Sequence, residues 1–393
     1  MKIKSLEGLR GIAAFIVVIF HYFTNFYPAL VNANPDQLHT YNGIELKIAV
    51  SPLNVLYNGS FSVYIFFVLS GFVLSYKYFK TNDSSIITAS AIKRYPRLMI
   101  PVFFSVLCFY LLYKIELPWV TNNISNFSFM NALREGTYAS FFSVNNYYNP
   151  VLWTMHFEFF GSFLVFGFCL IFGSARNRIW FYLLVTFIFW STPYLAFILG
   201  MFICDMKNNL SLKINSRFFL FTLSIIALFL GSYPNVVGKV DSTIGIDDTI
   251  YSFLNFFKNP EIFYHSFGAA ILLIVVLNSQ KASKLLSNQF FQFLGKISFS
   301  MYLTHVLTIT FFSHFFFNYL HMNAGLSYKF SFVIMLVLSL IIIFSFSYFM
   351  ERYIDRNAVK FSAFVYKSYF VELIESKPDV IKKQTLDNSR SIS

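Results

Sequence analysis

Apolar runs recur along this chain, and they restrict its fold more than any other feature. Ten of them, at roughly 9–30, 54–76, 98–115, 151–173, 179–191, 193–205, 217–231, 260–278, 297–317 and 329–350, take up about half of the 393 residues. Most reach the ~20 residues a helix needs to cross a hydrocarbon core of ~30 Å. Hydrocarbon offers the backbone no hydrogen bonds, so such segments must satisfy their own as helices. Charged residues are only 12% of the sequence, against roughly 25% in a soluble domain, too few to clothe a soluble surface. With only 16 Gly and 11 Pro, a fibrous or disordered chain is excluded as well. The expected fold is all-α: a polytopic helical membrane protein of about ten transmembrane helices.

The fifth and sixth runs are short. Ser191, Thr192 and Pro193 between them read as a hairpin tip or as a kink in one long helix. Loop charges favour the hairpin. With the N-terminus inside, cytoplasmic loops collect twelve Lys and Arg, and the outer loops four: Lys47, Arg134, Lys239 and Lys258. That alternation holds only if 179–205 makes two spans. Both termini are therefore expected in the cytoplasm of a multi-pass protein of the plasma (inner) membrane. Residues 1–351 form the membrane-embedded domain and 352–393 a cytoplasmic tail, with an amphipathic piece near 351–370 and then disorder. The net charge of +12 belongs to this asymmetry, so nucleic acid is not an expected partner. Residues 1–33 also resemble a signal peptide, but Glu7, Arg10 and the length of the apolar stretch favour a retained span. The aromatic-rich loop 116–150 is expected along the membrane interface or as an aromatic belt. Cys108, Cys169 and Cys204 lie in or beside apolar runs and read as packing residues.

Function is sought where polarity is expensive. Ionisable groups inside spans face the bundle interior or a cavity. Arg10 opens the first run and His21 follows eleven residues later. That spacing is ~16 Å of helix with an angular offset of ~20°, so both face one side. Imidazole both takes and gives a proton near neutrality. A base at the end of a passage entered past Arg10 suits a phosphorylated or acyl-bearing donor. The structural alternative is an arginine snorkelling to headgroups and a histidine bonded to a neighbouring helix. Glu158 is the only acid well inside any run. Its depth is expected to be ~11 Å from the outer face. His305 lies ~12 Å from the cytoplasmic end of its run, with Ser298 and Tyr302 on the same face. His21, Glu158 and His305 thus share a middle band of depth. Arg94 and Arg97 precede the third run. They suit bidentate phosphate contacts, or simply a solvated positive-inside cluster. Ser70 and Gly71 place small residues at the middle of the second run. No phosphate-binding loop, dinucleotide fingerprint, zincin motif or nucleophile elbow occurs. His and Cys are not clustered, so no metal is expected.

Five fragments together resemble the acyltransferase 3 family of integral membrane acyltransferases. They are LEGLRGIAAFIVVIFH (6–21), FFVLSGFVLS (66–75), KRYPRLMIP (93–101), LWTMHFEFF (152–160) and ISFSMYLTH (297–305), in that order. The resemblance spans nearly the whole chain. It implies catalytic roles for Arg10 and His21, a donor-side role for Arg94 and Arg97, and functional positions at Trp153, Thr154, Glu158, Tyr302 and His305. Met155 stands where the family usually has Leu. Read this way, His21, Glu158 and His305 are catalytic, and Arg10, Arg94, Arg97 and Tyr302 bind the donor. The implied activity is transfer of an acyl group, most often acetyl, from a cytoplasmic acyl-CoA to a hydroxyl of an envelope or exported saccharide or lipid-linked glycan. Polysaccharide-synthesis proteins and membrane lipid are the implied partners. The competing class is a transporter or flippase using the same buried charges as a proton relay.

Overall fold

The computed structural model describes residues 3–120, 127–210, 212–234, 244–257 and 259–371. Residues 1–2, Lys239 and Lys258 of the outer-loop charge pattern, and the tail beyond 371 lie outside them. Among the described residues every regular element is a helix. The bundle is built from α1 (Lys4–Phe26), α2 (Gly59–Thr81), α3 (Ser84–Lys114), α4 (Phe129–Arg134), α5 (Trp153–Phe172), α6 (Arg178–Phe189) and α7 (Tyr194–Asn209). It continues with α8 (Arg217–Gly231), α9 (Pro260–Asn278), α10 (Gln289–Thr308), α11 (His314–Asn318), α12 (Tyr328–Met350) and α13 (Arg356–Tyr366). Nine of the ten apolar runs centre on a single one of these helices, and the run at 297–317 continues from α10 through a π-turn (Ile309–Ser313) into α11. Six described stretches are long and apolar enough to cross a membrane: Lys4–Phe26, Gly59–Thr81, Ser84–Lys114, Pro150–Phe172, Pro260–Asn278 and Tyr328–Tyr369. The six are fewer than the ten runs partly because α6 and α8 are apolar but short. The 12 residues of α6 rise only ~18 Å.

Side-chain caps start many of the helices. Asn58, Asp83, Ser216 and Asn288 accept backbone N–H groups of the first turns of α2, α3, α8 and α10, satisfying donors that have no partner inside the helix. Residues 179–205 form a hairpin. Arg178 opens α6 and grips Asp205 near the end of α7 with two bonds, Nε to Oδ2 at 2.6 Å and Nη2 to Oδ1 at 2.7 Å. Only antiparallel helices bring those two residues together. Pro193 caps the start of α7, so the chain turns there instead of kinking.

Two crossings fix the centre of the bundle. α1 packs on α10 through facing glycines: a Cβ on Gly11 would lie 2.4 Å from the backbone nitrogen of Gly295, and one on Gly295 would lie 2.2 Å from the Glu7 carbonyl oxygen. Gly71 of α2 touches the backbone of Phe197 in α7 in the same way. Small residues at these points let the backbones meet where lipid supplies no hydrophobic drive. The Gly11→Ala protein is expected to be less stable by about 1–3 kcal/mol, because the obstructing atoms are backbone and only helix separation makes room. Thermal unfolding of the purified protein in detergent checks this; an unchanged midpoint would contradict so close a crossing.

The described part of the segment after α3, from residue 127 onward, lies against the bundle. It folds back against α3: Gly136 abuts the Cα of Phe103, and the Tyr95 hydroxyl donates to the Thr137 carbonyl. Buried Glu135 closes this re-entrant hairpin by accepting the backbone N–H groups of Tyr147, Tyr148 and Asn149. Asn149 in turn donates to the Leu303 carbonyl in the middle of α10, so α5 begins inside the bundle. At the other end of the chain, α12 runs through a π-turn (Glu351–Asp355) into α13, which packs on α3. The domain boundary expected at 351/352 therefore falls within a continuous helix.

Candidate active site

α1, α2, α3, α5 and α10 surround a cavity of about 220 Å³. It lies toward the end of the bundle that carries Lys4, Lys80 and Lys93, called the basic end below. Four cations line it, Arg10, Arg94, Arg97 and Lys296, together with the acids Glu7, Glu158 and Asp355. Leu6, Val63, Phe66, Phe67, Leu69 and Leu98 supply its apolar wall.

Arg10 does not snorkel away from the bundle. Its Nη2 donates to Glu7 Oε2 and to the Gly295 carbonyl, both at 2.8 Å, and its Nε donates to Ser298 Oγ at 2.9 Å. The α1–α10 crossing makes these reaches possible. Arg94 is not a solvated surface charge either. Its Nη2 meets Glu158 Oε1 at 2.6 Å, the Ser70 hydroxyl donates to the same oxygen at 2.6 Å, and the two ionic side chains are only 8% and 16% exposed. The Nε–H of Arg94 is buried without an acceptor. Arg97 opens into the cavity, makes no direct hydrogen bond with the other described residues, and feels the charges of Asp355 and Glu158 across it. Because α5 begins deep in the bundle, Glu158 sits level with Arg94, ~15 Å along α3 from its start, and not in the depth band expected for it. Glu158 therefore partners Arg94, with no hydrogen bond to His21.

His21 and His305 do meet. Nε2 of His305 lies 3.3 Å from Nδ1 of His21, and the ring centroids are 4.9 Å apart. Nδ1 of His21 also faces the Val17 carbonyl at 2.9 Å, and Nδ1 of His305 faces the Met301 carbonyl at 3.1 Å. Carbonyls only accept, so the neutral rings that satisfy both carry their protons on Nδ1. His305 Nε2 is then a bare acceptor beside the His21 N–H. His21 Nε2 is left as a base with no hydrogen-bond partner among the described residues. His305 is fully buried and His21 is half-buried.

The histidine pair does not line the cavity. Tyr302 and Phe66 stand between. Both line the cavity, their rings are 6.1 Å apart, and the Tyr302 ring is 6.0 Å from that of His305. The Tyr302 hydroxyl is held by Thr154 Oγ1 and the Val151 carbonyl, each at 2.8 Å. Tyr302 thus forms a fixed end-wall, not a free donor to a ligand. Sequence reasoning missed Lys296 and Asp355 as lining groups. Lys296 read as a loop charge and Asp355 as part of the tail, and no local signal marks either.

Among the described residues no group of three His, Cys, Asp or Glu is placed to hold a metal ion. A family model described as an acyltransferase domain, that of acyltransferase 3, matches residues 3–352. The O-acetyltransferase PaAT-1 of Phomopsis amygdali is 26% identical over 372 residues, covering 76% of this chain and 71% of that protein. No solved structure matches the chain. With the family match running almost from end to end of a helical bundle whose polar interior holds a base and a cationic cavity, this membrane protein belongs to the acyltransferase 3 family, whose chemistry is acyl transfer.

Proposed function

We propose that the protein transfers an acyl group, acetyl by preference, from a cytosolic acyl-CoA to a hydroxyl of an exported or envelope saccharide at the plasma membrane. The observation that carries this reading is the alignment on α1 of Arg10, in a cationic cavity, with His21 further along the same helix, its Nε2 without a hydrogen-bond partner among the described residues. The basic end faces the cytosol under the positive-inside rule. Arg97, Lys296 and the orphaned Nε–H of Arg94 are donors suited to the phosphates and pantetheine carbonyls of the donor. Glu158 holds Arg94 in place. The thioester reaches the histidines when the Phe66 and Tyr302 side chains swing aside, with the Tyr302 hydroxyl leaving Thr154 and the Val151 carbonyl.

In the transfer step His21 Nε2 takes the proton of the acceptor hydroxyl as its oxygen attacks the thioester carbonyl. The C–S bond breaks, the ester forms, and the proton moves from His21 to the departing thiolate. While His21 is protonated, the Val17 carbonyl and the bare His305 Nε2 accept its Nδ1–H. His305 thereby stabilises the imidazolium, the part an aspartate plays in a hydrolase triad. Its own N–H is spent on Met301, so it has none to offer a developing oxyanion.

The test is acetyl transfer from labelled acetyl-CoA to an envelope saccharide extract by the purified protein, comparing His305 variants. His305→Gln keeps an acceptor near His21 and is expected to retain much of the turnover. His305→Ala removes it and is expected to lose about 10–100-fold, the middle of the range for a lost charge-assisted hydrogen bond. Equal losses in the two variants would contradict the orienting role. Transport of saccharide without acetyl-CoA consumption would contradict transfer itself.

A further inference from the structure

The cavity described above is entered at the basic end, yet the polar column on α1 continues past His21 to the opposite end. Asn25, one turn beyond His21, donates from Nδ2 to the His21 carbonyl at 2.7 Å. Its Oδ1 lies 3.1 Å from Nε2 of His314 on α11. An amide oxygen only accepts, so His314 carries its proton on Nε2 and presents a bare Nδ1. Thr24, Asn25 and His314 are all exposed. Next to His314, Phe315 stacks on Trp119, with centroids 4.1 Å apart and planes 27° apart. The Trp119 N–H is already given to the Phe311 carbonyl at 3.1 Å. The indole is thereby fixed in orientation, and at 42% exposure much of it stays open.

We propose that Trp119 and Phe315, with Asn25 and His314, form a saccharide subsite on the acceptor side of His21. This deepens the function proposed above and rests on its assignment of His21 as the base. An aromatic face packs against the C–H face of a sugar ring, and with the indole N–H spent, Trp119 offers its face alone. The neighbouring Asn25–His314 pair suits ring hydroxyls: His314 Nδ1 accepts, as does the Thr24 hydroxyl, whose own proton goes to the Phe20 carbonyl. A lipid chain laid on the same platform would leave those groups without partners. Asn25 is one helical turn from His21, so a sugar reaching the Asn25–His314 pair has its next unit on the His21 side.

The experiment uses the full chain in lipid nanodiscs and a panel of methyl glycosides of glucose, galactose, mannose, rhamnose and N-acetylglucosamine as acceptor probes, with glycerol as a polyol lacking a ring face. Acetylated product is measured by mass spectrometry. Trp119→Ala is expected to raise the KM for the best glycoside about three- to tenfold, leaving the KM for acetyl-CoA and the use of glycerol unchanged. Trp119→Phe is expected to recover most of the effect, which separates stacking from misfolding. An unchanged glycoside KM in Trp119→Ala, an equal rise for glycerol, or no glycoside acetylated by a wild type that does use glycerol would each overturn the subsite. Glycoside-dependent quenching of Trp119 fluorescence, absent from Trp119→Phe, reads the subsite without turnover. A wild type that shows this quenching and consumes no acetyl-CoA would retain the subsite and defeat the transfer reading.

Discussion

Replacing His21 by alanine is expected to lower acyl transfer by about 10²–10⁴-fold, the range a positioned general base contributes, while acetyl-CoA binding stays near wild type. The separation follows from the geometry. His21 bonds to its own helix at Val17 and to His305, and it lies outside the cavity lined by Arg10, Arg94, Arg97 and Lys296. The donor site should therefore survive its loss. Labelled acetyl-CoA binding and product formation, measured on the same preparation, check the two halves independently. Loss of both together would place His21 in binding or folding, and near-normal turnover would remove it from the chemistry.

The second large effect concerns Arg94 and Glu158. Their charges are nearly shut off from solvent and touch at 2.6 Å. Removing one partner strands the other, a change that costs about 3–5 kcal/mol for a buried pair. Glu158→Ala is therefore expected to yield a strongly destabilised protein with a sharply lower unfolding midpoint. Arg97→Ala is expected to behave differently. Arg97 makes no direct hydrogen bond among the described residues, and its counter-charge Asp355 lines the same open cavity, so stability should hold while the KM for acetyl-CoA rises. Losing a charged hydrogen bond to phosphate is worth about 1.5–3 kcal/mol, about ten- to a hundredfold in KM. Melting curves set beside acetyl-CoA titrations distinguish the two. If Arg97→Ala instead melts early and Glu158→Ala does not, the division between structural and donor-binding charge is wrong.

The sequence carried the helical class because most of the apolar runs are long and a helix satisfies its own backbone hydrogen bonds. It also carried the alignment of Arg10 with His21, since an eleven-residue spacing on one helix fixes a common face without reference to any other element. The hairpin at 191–193 was readable because loop charge alternates only with two spans there. Pairings between elements were less visible. The contact of His305 with His21 depends on the Gly11–Gly295 crossing, and the pairing of Glu158 with Arg94 depends on how deep in the bundle α5 begins. The cause is a single feature, the re-entrant hairpin closed by Glu135. Its mixture of aromatic and small polar residues looks like an interfacial loop, yet buried backbone bonds to one carboxylate draw it into the bundle and start α5 halfway down. Lys296 and Asp355 reach the cavity by the same tertiary logic, from positions whose local sequence describes only a loop and a tail.

The central claim is that an acyl group enters past a cationic cavity and meets His21 beyond the Phe66–Tyr302 wall. The most direct measurement is an experimental structure of the protein bound to a non-transferable acetyl-CoA analogue, a methyl ketone in which a methylene separates the sulfur from the acetyl carbonyl. The analogue's phosphates are expected beside Arg97 and Lys296, with its acetyl carbonyl past Tyr302 and facing His21 Nε2 across the space of one hydroxyl, which would then lie about 3–3.5 Å from the carbonyl carbon. An analogue absent from the cavity, or one whose acetyl group stops short of Tyr302 with the wall unmoved, would contradict the mechanism.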